Sequence, residues 1–138
     1  MYRGLDYYNY ENNNYNIPDF VSKDENDMYD PYNGFIRGNM YKSLYNSYKV
    51  DAYKLSPTND KKSLELYIDA LCFACNDIKL YLDIYPNDKK MIDIFYNYNK
   101  DLEKLKWEYN DKYGPIISSD VKNSIPWSWD NNPWPWEN

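Results

Sequence analysis

The sequence lacks histidine, long apolar runs and any segment with excess positive charge. Without histidine a Ser-His-Asp triad cannot be assembled, and the chain also has no nucleophile elbow or phosphate-binding loop. No apolar stretch approaches the roughly 18–20 residues of a membrane-spanning helix. The first eight residues lack the apolar core of a signal peptide. We therefore expect no active site, and a protein made in the cytoplasm that stays within the cell that made it.

The charge of the chain is negative and evenly spread. Its 138 residues carry a formal net charge of −6, and residues 1–56, 57–114 and 115–138 contribute −2 each. Phosphate backbones are neutralised by clustered Lys and Arg side chains, and no segment supplies such a cluster. This distribution argues against nucleic acid and anionic membrane surfaces as partners.

Tyrosine is the residue in excess: there are 18 in the chain, and 11 of them lie in residues 1–53. They are mixed there with Asn, Asp and Ser and with few aliphatic residues, so this part can bury little surface by itself. We expect residues 1–56 to form an irregular arm that is prone to self-association. Two uses of its tyrosines stay open, aromatic packing and oxidative cross-linking, and dityrosine fluorescence in assembled material would distinguish them.

From residue 60 the pattern becomes that of two amphipathic helices separated by Pro86. Apolar residues recur in each helix with the spacing 4-3-4-3-4, which keeps them on one helical face. Two such faces can pack into a continuous seam. The two stripes are Leu64, Ile68, Leu71, Cys75, Ile78 and Leu82, and Met91, Phe95, Tyr98, Leu102, Leu105 and Tyr109.

Capping residues set the expected ends of these helices. Asn59 or Asp60 can cap the first helix, residues 87–88 (Asn-Asp) can cap the second, and Gly114 followed by Pro115 marks its end. The short connection requires the helices to run antiparallel. The predicted fold is mainly α, an antiparallel two-helix hairpin over about residues 60–84 and 87–113.

A hairpin of about 55 residues buries too little surface to be comfortably stable alone. The C-terminal tail holds four of the five tryptophans among three prolines, which favour extended backbone. We expect Trp127 and Trp129 to fold back on the hairpin as a third layer. Trp134 and Trp136 are expected to contact another protein. The second apolar face that needs cover comprises Tyr67, Ala70, Ala74, Tyr81, Ile94, Tyr96 and Trp107.

Two groups of residues resemble chemical sites but lack what such sites require. Cys72 and Cys75 form a CxxC pair well inside the first helix, whereas redox pairs lie at a helix N-terminus; small buried thiols explain them better. A zinc site would need a second ligand pair. The helix carboxylates are interpreted as a solvated face, with Asp69 and Asp77 lying nearest the seam. We predict no catalytic residue, no cofactor and no metal.

The C-terminal part resembles the spore coat assembly protein CotJB of endospore-forming bacteria. The resemblance, which covers residues 57–138, is carried by residues 68–74 (IDALCFA), 77–83 (DIKLYLD), 85–88 (YPND), 113–115 (YGP) and 133–137 (PWPWE). The cysteines at 72 and 75 depart from the apolar or small residues expected there. Residues 30–55, with GFIRGNM at 34–40, are similar to the short coat protein CotJA, although Asn46-Ser47 stands where Asp-Pro is more typical.

The resemblance implies a two-part chain, with a CotJA-like segment within residues 1–56 and a CotJB-like hairpin and tail over 57–138. It also implies a structural, non-enzymatic role in assembly of the inner spore coat, and association with CotJC, which resembles manganese catalases. The alternative is an accessory subunit that docks or recruits that catalase-like protein. A third possibility is glycan binding by the tryptophans. The candidate interface residues are Trp134, Trp136, Trp107, Tyr67, Tyr81, Phe35 and Ile36.

Overall fold

A computed structural model describes residues 28–42, 53–123 and 125–130. It contains three α-helices: α1 (Pro31–Arg37), α2 (Asp60–Ile84) and α3 (Lys89–Tyr113). Short 3-10 turns follow at Ser118–Asp120 and Ser128–Asp130. The described residues include no β-strand, and the mainly α prediction is confirmed.

Helices α2 and α3 form the predicted antiparallel hairpin, and side chains of the flanking residues cap both. Asn59 Oδ1 accepts a 2.9 Å hydrogen bond from the N–H of Lys62, and Asp88 Oδ1 accepts one of 3.1 Å from the N–H of Met91. Because Asp88 is the cap, α3 begins at Lys89, two residues later than predicted. It ends where Gly114 adopts a positive φ of 98°, a backbone conformation that residues with a Cβ rarely adopt.

The core lies along the seam that the 4-3-4 spacing predicted. Its buried α2 members are Ile68, Leu71, Cys75 and Ile78, and its buried α3 members are Met91, Tyr98, Leu102, Leu105 and Tyr109. Leu64, Leu82 and Phe95 pack at its edges and are partly buried. Most of the hairpin core could thus be assigned from periodicity.

The N-terminal arm contains a folded unit that periodicity did not predict. Asp30 caps α1 by accepting from the N–H of Asn33 at 3.0 Å, Pro31 occupies its first turn, and Gly38 ends it with a φ of 71°. The N–H of Tyr29 donates to the carbonyl of Met40 at 2.8 Å, which closes the chain around the helix. We call residues 28–41 the α1 unit; the prediction of an irregular arm is wrong for these residues.

The α1 unit supplies the third layer of the fold. It packs against α2, and Met40 inserts into the hairpin core with no exposed surface. Ala70 and Ala74, on the flank that the sequence left uncovered, are buried. The small side chains of the two alanines leave the room that a large neighbouring side chain fills. The tail was expected to fill this place, and the α1 unit fills it instead.

Candidate functional site: the outer surfaces of the hairpin

The carboxylate nearest the seam has a structural partner. Asp77, on α2, accepts a 2.9 Å hydrogen bond from the backbone N–H of Met40 through Oδ2. Asp69 is exposed as a residue. Partial burial of its carboxyl group, together with the nearby charge of Glu65, nevertheless raises its pKa. Among the described residues no group of three or more His, Cys, Asp or Glu side chains could hold a metal ion.

The surroundings of the two cysteines disfavour the thiolate form. Cys75 is buried in the core, and burial raises the pKa of its thiol to about 11. Cys72 is exposed on the surface of α2, yet partial burial of its thiol also raises its pKa. Reactive cysteines require the opposite shift, since the thiolate is the nucleophile.

A cluster of aromatic side chains joins the α1 unit to the turn of the hairpin. Tyr41 stacks on Tyr81 with ring centroids 5.5 Å apart, and Tyr81 packs on Tyr85 at 4.7 Å. The Tyr81 hydroxyl donates to Asp88 Oδ2 at 2.9 Å. The N–H of Met91 and this hydroxyl both lower the pKa of Asp88. Tyr81, a candidate interface residue, therefore contributes to a contact within the chain.

The hydroxyl of Tyr41 is buried and has no hydrogen-bond partner among the described residues. Its pKa is raised by burial and by the neighbouring carboxylates of Asp77 and Asp88. A second buried tyrosine, Tyr109, has a partner, because its hydroxyl donates to Glu65 Oε1 at 2.8 Å across the hairpin. The two tyrosines thus differ in whether burial of the hydroxyl is compensated.

The other candidate interface residues divide between inner and outer surfaces. Phe35 of α1 packs edge-to-face on Phe73 of α2 at 6.0 Å, and Tyr67 is packed against the core. Ile36 is half-buried on α1. Trp107, by contrast, is 64% exposed on α3. Trp134 and Trp136 lie outside the described residues.

The segment after α3 folds against the end of that helix. The side-chain amide of Asn110 donates to the carbonyl of Asp120 at 2.6 Å, and Lys122 Nζ lies 2.7 Å from Asp111 Oδ1. These contacts hold the segment that connects α3 to the Pro/Trp-rich tail.

Further along the tail the expectation about the tryptophans is corrected. Trp127 is 63% exposed and does not form a buried third layer, and Trp129 is half-buried. Ile116, Ile117 and Ile125 are exposed as well. The site that Trp127 would have filled is occupied by Met40 and the rest of the α1 unit. An apolar surface therefore remains on the segment beyond α3.

None of the helices in the described ranges is both long enough and apolar enough to cross a membrane. The architecture is that of a small helical-hairpin protein whose prominent surface features are exposed aromatic and aliphatic side chains. The family model of the CotJB protein matches residues 61–137, more than half of the chain. The chain belongs to the CotJB family, a family of spore coat proteins.

The family match begins at residue 61 and does not include residues 30–55, so it gives no support to the CotJA-like resemblance of that segment. No curated protein and no solved structure matches the chain.

Proposed function

We propose that the chain is a structural protein of the spore coat that takes part in coat assembly through protein–protein interfaces. The observation that carries this proposal is the apolar surface of the segment after α3. The family match extends over this segment to residue 137, well past the end of the hairpin at Tyr113. The segment therefore belongs to the same family unit as the hairpin.

Large apolar side chains in this segment remain in water. Ile125 is fully exposed, and Trp127 and Ile117 are at least half exposed. A side chain of this size loses roughly 1.5–3 kcal/mol of stabilisation when it is left uncovered. Exposed apolar side chains that gather into a large patch mark interaction sites.

The same segment is held in place beside α3. The Asn110–Asp120 hydrogen bond and the Lys122–Asp111 ion pair fix the part of it that lies between the exposed residues Ile117 and Ile125. The ion pair is exposed to solvent, so it contributes little stability. The ion pair instead restricts the positions of the apolar side chains, which reduces the conformational entropy that the segment loses when a partner binds.

The proposal is tested by following a fluorescent fusion of the chain in the sporulating host. We expect the unaltered chain to collect on the developing spore, and a variant with Ile125→Ser and Trp127→Ser to remain dispersed. Both side chains are exposed, so far-UV circular dichroism of the purified variant should match that of the parent. Asn123→Ser, an exposed polar position in the same segment, is the control. Normal coat localisation of the Ile125/Trp127 variant would overturn the proposal.

The partner we propose is CotJC, the manganese catalase-like coat protein that the family resemblance implies. Copurification of CotJC with the chain, reduced by the Ile125/Trp127 substitutions, is the expected result. Deletion of the chain should remove CotJC from the coat without changing its specific activity if the role is that of a scaffold. A change in the metal content of CotJC on deletion would instead favour the accessory-subunit alternative.

A further inference from the structure

The outer face of α3 carries a regular stripe of four residues. Tyr96, Lys100, Glu103 and Trp107 follow the spacing 4-3-4, which places them along one side of the helix. The core residues of α3 lie on the opposite side. Tyr96 and Trp107 are 66% and 64% exposed. The stripe runs over about 16 Å, at 1.5 Å per residue.

The order of residue types in this stripe is self-complementary. Read in either direction it is aromatic, charged, oppositely charged, aromatic. If two copies of α3 lie antiparallel about a two-fold axis that passes between residues 101 and 102, Tyr96 of each copy faces Trp107 of the other. Lys100 of each then faces Glu103 of the other. A two-fold interface requires this property, because each surface must complement itself.

The charges at the centre of the stripe are available for such pairing. Lys100 makes no ion pair within the part of the chain that the structure describes. Glu103 makes one contact of 3.5 Å, with Lys106, and both side chains are partly solvated. Because such an exposed pair has little strength, it does not compete strongly with a partner lysine.

From this geometry we infer that the outer face of α3 is a self-association surface that pairs two copies of the chain antiparallel through Tyr96, Lys100, Glu103 and Trp107. Since each of these side chains is already about one third covered, four of them would bury roughly 400–650 Å² in the pair. An area of that size is typical of weak, transient interfaces. The surface is separate from the segment after α3, so this inference does not depend on the proposed role of that segment.

The test is sedimentation equilibrium of the full-length chain over a range of roughly 10 μM to 1 mM, which brackets weak association. We expect a monomer–dimer equilibrium for the unaltered chain. Lys100→Glu and Glu103→Lys each place like charges opposite one another and should weaken the dimer at least about tenfold. The double variant Lys100→Glu/Glu103→Lys restores opposite charges in both contacts and should recover dimerisation to within about threefold of the parent.

Two controls match the change in net charge. Lys79→Glu and Asp83→Lys alter exposed positions on α2 and should leave the dimerisation constant unchanged. Trp107→Ala should also weaken the dimer at least about tenfold, since large aromatic residues dominate such interfaces. Because Trp107 is exposed, the far-UV circular dichroism spectrum of Trp107→Ala should match that of the parent.

Three results would overturn the inference: a monomer at every concentration, a dimer insensitive to both charge reversals, or a double variant that stays as weak as the singles. None of these results bears on whether the Ile125/Trp127 variant reaches the spore coat. Failure of coat localisation with an intact dimer would reject the proposed role of the tail and leave the self-association surface standing.

Discussion

The backbone N–H of Met40 donates a 2.9 Å hydrogen bond to Asp77 Oδ2, and this bond attaches the α1 unit to the middle of α2. The side chain of Met40 is fully buried beside it. Met40, which lies 37 positions before Asp77 in the sequence, thus completes the core of the hairpin. Its backbone N–H finds a hydrogen-bond acceptor at the same place. The pairing gives the carboxylate next to the seam a structural role.

Removal of this carboxylate should loosen the α1 unit. We expect Asp77→Ala to lower the free energy of unfolding by about 1–3 kcal/mol, because a buried amide loses a charged acceptor. Asp77→Asn keeps an acceptor oxygen in place and should cost less. Denaturant titration followed by circular dichroism gives both values, and amide hydrogen exchange of Met40 locates the effect. An unchanged exchange rate in Asp77→Ala would show that the bond is not formed in solution.

The close approach of α1 to Met40 depends on Gly34. A Cβ at this position would overlap the sulfur atom of Met40 well inside van der Waals contact. Gly34→Ala should therefore destabilise the protein by about 1–3 kcal/mol through overpacking, and Met40→Ala by about 2–5 kcal/mol through a cavity. Shortening Met40 removes the overlap. Gly34→Ala should therefore cost much less stability in the Met40→Ala background than in the parent chain. Strict additivity in this cycle would argue against direct contact.

Two buried tyrosine hydroxyls should respond in opposite directions when they are removed. Tyr109→Phe loses the 2.8 Å bond to Glu65 and should lower the free energy of unfolding by about 1 kcal/mol. Tyr41→Phe removes a buried hydroxyl without a partner among the described residues and should leave stability equal or raise it by about 1 kcal/mol. Thermal and urea unfolding of the two variants provide matched controls for each other. A loss in Tyr41→Phe as large as that in Tyr109→Phe would reveal a partner for Tyr41.

Stability should decline in acid because three carboxylates of the hairpin, Glu65, Asp88 and Asp111, have lowered pKa values. Hydrogen bonds from the Met91 N–H and from Tyr81 lower the pKa of Asp88 below its ordinary 3.8. Burial acts to raise the pKa of Glu65, but hydrogen bonds from Lys62 and Tyr109 bring it below 4.5. A lowered pKa means that folding favours the charged form. The stability it contributes is complete above the unfolded pKa and is lost as the pH falls through the folded value.

The acid dependence can be assigned with one substitution. Asp88→Asn retains a capping side chain but cannot titrate, so it should reduce the slope of stability against pH below about pH 4. The parent chain provides the reference slope. Urea unfolding at a series of pH values measures both slopes. Equal slopes in the parent and Asp88→Asn would remove Asp88 from the explanation.

The cysteines should behave as packing residues toward alkylating reagents. Since burial raises both thiol pKa values, alkylation by iodoacetamide near pH 7 should be slower than that of a free thiol. Cys72 should react first because it is exposed, and Cys75 should react only as the protein unfolds. Mass spectrometry of Cys72→Ser and Cys75→Ser separates the two rates. Rapid reaction of either thiol would reopen a redox role.

The hairpin could be predicted in detail because its information is local. A 4-3-4 apolar spacing defines one face of a helix, and Asn59, Asp88 and Gly114 set helix ends through bonds or dihedral angles within a few residues. The place of Cys72 and Cys75 well inside α2, rather than at its N-terminus, could likewise be predicted from the same spacing. The family resemblance of the C-terminal part rests on residues in this region and was confirmed.

The α1 unit was harder to foresee, although its local signals were present. Asp30-Pro31 at the start and Gly38 at the end are a capped N-terminus and a left-handed stop, but a helix of seven residues shows no apolar period. The composition of the arm indicated too little aliphatic surface for a fold. Met40, together with Met28, Phe35 and Tyr41, supplied enough, because the flank of α2 already had small side chains to receive Met40.

The sequence by itself determined the two long helices, their antiparallel pairing and the residues of their seam, since each depends on spacing, caps and a short turn. Only the tertiary structure decided which segment covers the α2 part of the second face, because the α1 unit and the tail both carry large apolar residues that could reach it. Met40 packs against α2 there through contacts between residues distant in sequence. That choice leaves Trp127 in water, and it is why the surface of the tail, rather than its packing, carries the functional proposal.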